Sequence, residues 1–184
     1  MTAIDTMRTV RDQVGDQLRR QAAGYARPDR ATGGYAAAMG VFGAVAGGLS
    51  LVAARTGRRP PPLTPWELAL LGLATHKIAR IVAKDAVTSP VRAPFTRFEG
   101  PQGNAELAEE VRGSGARKAV GELLTCPFCL GPWVATALTA GLTFAPAVTR
   151  PAMGVFSAVA VSDFLQLGYA AAQQRTEPPE SRAS

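Results

Sequence analysis

From Gly34 to Ala54 the chain reads GYAAAMGVFGAVAGGLSLVAA, 21 residues without a charge. As a helix this stretch is about 30 Å long, the thickness of a bilayer's hydrocarbon core. Three more apolar segments follow near 63–82, 130–148 and 151–172, and the charges collect between them. A soluble domain mixes charged and apolar residues within each element, because each amphipathic element keeps a wet face. The segregation predicts an all-α fold: a small multi-pass transmembrane helical bundle of four spans with an ordered cytoplasmic loop.

Residues 1–33 are polar, with Ile4, Met7, Val10, Val14 and Leu18 spaced along one helical face and Arg8, Arg11, Arg19 and Arg20 beside it. Three readings fit: an amphipathic helix on anionic phospholipids, a helix packed on a partner, or a solvated tail. A polar head of this length marks the first apolar run as an anchor rather than a cleaved signal peptide. Gly43 and Gly47 form a GxxxG pair within it, a pattern that lets another helix approach closely. The second segment opens on Thr64, Pro65 and Glu67, the pattern of a capping box. Its far end carries His76, Lys77 and Arg80, unusual for a span. With that helix on the interface instead, three spans remain. The connection 84–125 reads as an ordered loop, DAVTSPVRAPFTRFEGPQGN, then two short helices, AELAEEV and ARKAVGELL. Residues 173–184 read as a disordered tail.

Lys and Arg set the orientation. With the N-terminus inside, the inner segments hold six (1–33), six (84–125) and two (the tail), and the outer loops hold Arg55, Arg58, Arg59 and Arg150. Fourteen against four places both termini in the cytoplasm and the chain in a bacterial cytoplasmic (inner) membrane. The net charge of +6 reflects these flanking residues, and no nucleic-acid motif accompanies it.

Asp163 falls mid-span, where a lone carboxylate costs about 2.5–3.5 kcal/mol on insertion scales. Counted from Pro65 and Pro151, Lys77 and Asp163 both lie roughly 18 Å deep. An intramembrane polar pair of Asp163 with Lys77, or with neighbouring His76, is therefore expected. The alternative is a protonated Asp163 with Lys77 and Arg80 reaching to headgroups.

Cys126-Pro127-Phe128-Cys129 marks the entrance to the third span. Two sulfurs at this spacing can form a redox pair, share a metal, or simply pack. A metal reading (zinc or iron) needs more ligands, such as His76 or Glu122, or CPFC from two chains. A stable disulfide is not expected on a cytoplasmic face.

The blocks VRAPFTRFEG and GELLTCPFCLGPW, with LALLGLATHKIARIV before them, resemble the bacterial membrane proteins grouped as domain of unknown function 1360. The resemblance covers about residues 64–172 and implies no catalytic residue; some Bacillus members carry a sporulation label. It also implies that the two blocks form one inner-face unit, in which Arg92, Arg97, Glu99 and Glu122 could pair over the cysteines. Without a nucleophile–base set, the leading expectation is a non-enzymatic membrane scaffold that binds a protein partner or its own copies, in sporulation or differentiation. A metal- or thiol-dependent factor at CPFC and a small transporter subunit using Asp163 are the alternatives.

Overall fold

The computed structural model describes residues 12–17, 32–102 and 106–176. Most of the polar head and residues 177–184 lie outside these; within the described residues, 12–17 are helical, and 173–176, read from the sequence as the start of a disordered tail, continue the last helix instead. The main elements are helices α1 (Thr32–Arg55), α2 (Pro65–Lys84), the short α3 (Ser89–Arg92), strands β1 (Thr96–Pro101) and β2 (Leu107–Val111), then α4 (Gly115–Thr125), α5 (Pro127–Phe144) and α6 (Pro146–Thr176).

Three of these helices are long and apolar enough to cross a membrane: Thr32–Arg55, Pro127–Phe144 and Pro146–Arg175. Helix α1 contains no buried residue, and Met39, Val41, Val45, Leu51 and Val52 are all exposed. Helix α6 likewise exposes Val155, Phe164, Leu165 and Leu167. Continuous apolar surface of this kind is rare on soluble monomers.

Helix α2 is more polar, yet it is the centre of the bundle and packs along both α5 and α6. Thr64 caps it, with Glu67 bonding back to the cap in a reciprocal box. Its small residues Ala74, Ala79 and Ala83 are buried and let neighbours approach closely. Leu71 and Ala74 pack with Leu142 and Met153 in one core cluster; Ala79 and Ala83 pack with Leu130 in the other.

Contacts run in the same order along α2 and α6. Glu67 meets Arg150 at 3.4 Å, the Ser157 hydroxyl donates to the Leu70 carbonyl at 2.7 Å, and Lys77 meets Asp163 at 2.7 Å. The two helices are therefore parallel. Helices α1 and α5 form a second parallel pair, with Phe42 against Trp133 near one end and Arg58 donating to the Phe144 carbonyl at the other. One end of the bundle thus gathers the start of α1, the end of α2, the hairpin, α4 and the start of α5.

The fold departs from an all-α reading in one place. AELAEEV supplies strand β2, not a short helix, and it pairs antiparallel with β1. Thr96 faces Val111, Arg97 faces Glu110 and Phe98 faces Glu109, after which a register shift leaves Glu99 as the extra residue of a bulge. Leu, Ala and Glu favour helix locally, but cross-strand pairing decides the outcome here. The last two long helices also begin earlier than hydropathy suggested, at Pro127 and Pro146, so that Pro151 lies within α6.

Candidate functional site

Arg92 organises the end of the bundle that carries the cysteines. Its side chain is fully buried. Its Nε and Nη2 donate to the two Glu109 carboxylate oxygens at 2.6 and 3.2 Å. Nη1 donates to the Val82 carbonyl and the Thr88 hydroxyl oxygen, each at 2.7 Å, and Nη2 to the Asp85 carbonyl at 3.0 Å. The last turn of α2 leaves carbonyls without helical partners, and a buried guanidinium satisfies them while pinning β2 through Glu109. A buried charge is tolerated only when paired and bonded in this way. Arg80 adds an ion pair to Glu106 beside it.

Helix α4 rests on this hairpin at Gly121, where an added Cβ would lie 2.5 Å from Val111 Cγ1. Its other side receives α1 at Gly34, where a Cβ would lie 2.6 Å from the Ala119 Cβ. Neither contact leaves room for a side chain, so these two glycines hold α1, α4 and the hairpin in one unit.

That unit delivers the CPFC segment. Cys126 is the N-cap of α5, Pro127 occupies the first turn, and the Cys126 sulfur accepts from the Cys129 backbone N–H at 3.2 Å. Cys126 and Cys129 are joined as a disulfide, contrary to the expectation that no stable disulfide forms here. Cys129 and Phe128 are exposed. Both cysteines line a cavity of about 640 Å³ between α1, α4 and α5. Its walls are largely apolar, with Phe42 and Trp133 meeting edge to face at 5.2 Å. Its polar feature is the Tyr35 hydroxyl, which donates to the Glu122 carboxylate; Lys118 lies 4.0 Å from the same carboxylate.

The residues singled out in the sequence divide between several places. Glu122 shares the cavity with the cysteines, but His76 lines a separate cavity of about 250 Å³ with Pro127 and Phe128, and its ring stacks on Phe164. Among the described residues no three His, Cys, Asp or Glu side chains are grouped to hold a metal ion. Arg92 is buried on Glu109, while Arg97 and Glu99 are exposed on β1 and do not meet Glu122. Lys77 Nζ donates to Asp163 Oδ2 at 2.7 Å, with Lys77 largely enclosed. Among the described residues nothing packs against Gly43 or Gly47, and the close approach to α1 within the chain falls at Gly34. Glu109, Thr88, Tyr35 and Phe42 were not singled out. Reading LAEEV as a strand would have exposed Glu109, whereas nothing local marks Tyr35 or Phe42.

Residues 70–169, which hold most of α2, the hairpin and the CPFC-headed helix, match the family described as "Protein of unknown function (DUF1360)", and the chain belongs to it. It is also 35% identical over 71 residues to the protein named "Sporulation protein YjcA" of Bacillus subtilis (strain 168). That alignment takes in 37% of this chain and 60% of the relative's length. No solved structure matches.

Proposed function

We propose that this protein is a four-span membrane protein of the bacterial inner membrane with a thiol–disulfide exchange centre at its cytoplasmic end. The observation that carries this reading is the Cys126–Cys129 disulfide at the N-cap of α5, with one sulfur-bearing residue exposed and the other held by a backbone N–H. Disulfides on a cytoplasmic face are rare unless catalytic or redox-sensing.

The chemistry follows from the geometry. A partner's thiolate attacks the Cys129 sulfur, the S–S bond breaks, and Cys126 leaves as a thiolate. The Cys129 N–H and the helix N-terminus favour that thiolate, which makes it a good leaving group. A second thiol of the partner attacks the mixed disulfide, leaving the partner oxidised and both cysteines reduced. The rigid base of Arg92, Glu109 and α4 keeps the two sulfurs within bonding distance through the cycle.

Two arguments support the membrane arrangement. Helix α2 runs parallel to α6 along matched contacts, so it crosses wherever α6 crosses, despite its polar end. The Lys and Arg bias favours the arrangement with the cysteine end inside. The name of the Bacillus relative supports a role in sporulation or differentiation. A second reading, a scaffold for a protein partner, draws on the exposed β1 residues Arg97, Phe98 and Glu99. In the thiol reading the same surface is where a dithiol partner docks.

Equilibrating the purified full chain in glutathione buffers, then counting free thiols by maleimide mass shift, tests the centre. The pair should pass from disulfide to dithiol within roughly the −180 to −320 mV range of cellular redox buffers. A pair that stays reduced throughout, or that retains zinc, refutes it.

A further inference from the structure

We propose that the cavity beside Cys126 and Cys129 takes the ring of a membrane quinone, which reoxidises the reduced pair. This inference rests on the thiol–disulfide reading and names the electron acceptor of that same centre. A pair reduced to the dithiol by a partner's thiols holds two electrons and needs a two-electron acceptor to regain its disulfide. Both cysteines line a cavity whose other walls are largely apolar and aromatic, with Tyr35 and Glu122 as the polar exception, which suits a flat, lipid-soluble acceptor with polar edges. At about 640 Å³ the cavity is within the range of small-molecule sites and suits a substituted aromatic ring.

The polar groups fit the same occupant. Phe42 and Trp133, with interplanar angle 71°, offer an edge and a face to a ring. The Tyr35 hydroxyl can turn from Glu122 to donate to a quinone carbonyl, and Glu122 can then take part in proton delivery. An isoprenoid tail leaves along the outer face of α1, where Met39, Val41, Val45 and Val52 are exposed. A lipid acyl chain would fill the apolar volume but would use neither the sulfurs nor the Tyr35–Glu122 pair.

The step balances. Two S–H bonds break and one S–S bond forms. Two electrons pass from the sulfurs to the quinone, and its carbonyl oxygens gain two protons, giving the hydroquinone.

The full chain, reconstituted in phosphatidylcholine–phosphatidylglycerol vesicles, is reduced, freed of reductant without oxygen, and mixed with ubiquinone-1. Quinone absorbance and free thiols are followed together. One quinone should be consumed per chain as both thiols disappear, at least about tenfold faster than with an equimolar free dithiol in vesicles of the Cys126→Ser/Cys129→Ser protein. Filling the cavity with Ala38→Phe should slow the reaction about tenfold, with folding checked by circular dichroism and melting. Met39→Trp serves the same purpose if Ala38→Phe does not fold. A rate no faster than the free dithiol, or cavity-filled proteins that react like the parent, overturns the inference. A pair that exchanges with glutathione but ignores the quinone sinks this inference alone; a pair inert to both sinks the thiol reading as well.

Discussion

Arg92 and Glu109 lie seventeen positions apart and meet as a buried, two-pronged ion pair, the guanidinium also bonding two carbonyls at the end of α2. Their side chains are 0% and 6% exposed, so removing one partner strands a charge with no water to stabilise it. Glu109→Ala and Arg92→Ala should each destabilise the chain by about 3–5 kcal/mol, read as a lowered denaturation midpoint in detergent. Arg92→Lys should rescue little, because an ammonium cannot reproduce the fork. Near-parental stability in Arg92→Lys would mean that charge alone, not geometry, holds the hairpin to α2.

Lys77 and Asp163 pair between two parallel helices, well inside both. Lys77→Met leaves Asp163 uncompensated, and Asp163→Asn does the reverse. Each should lower stability, while the double variant should be no worse than the poorer single, a coupling of about 1 kcal/mol or more. Additive losses would show that the two groups are stabilised separately.

The parallel course of α2 and α6 makes a topological prediction. Reporters fused after Arg59 and after Ala145 should read as external, and reporters after Gln102 and at the C-terminus as cytoplasmic. If α2 lay on the surface, the segments on either side of it would report from the same side.

Much of this was legible in the sequence, and the reasons are physical. Helices α1 and α5 show themselves by charge-free length, and the Lys77–Asp163 register follows from the constant rise of two helices that start near a proline. It survives although α6 begins at Pro146 and not Pro151, since depth depends on where the helices meet and not on where hydrogen bonding begins. The hairpin was not legible: LAEEV carries no β-branched alternation until Val111, and its strand conformation depends on Arg92 far along the chain waiting to bind Glu109. The CPFC spacing showed that two sulfurs could bond, but the cavity beside them forms only when Gly34 seats α1 against α4, a contact between distant segments.

The thiol–disulfide centre is decided by the state of Cys126 and Cys129 in growing cells. Acid quenching followed by a mass-adding maleimide counts the reduced cysteines, and a membrane-impermeant maleimide added before lysis reports the side they face. The expected result is a mixture of disulfide and dithiol that shifts fully to disulfide with a thiol oxidant and returns when it is removed, with no labelling from outside. Two cysteines that stay reduced under oxidant, or that label from outside intact cells, would contradict it.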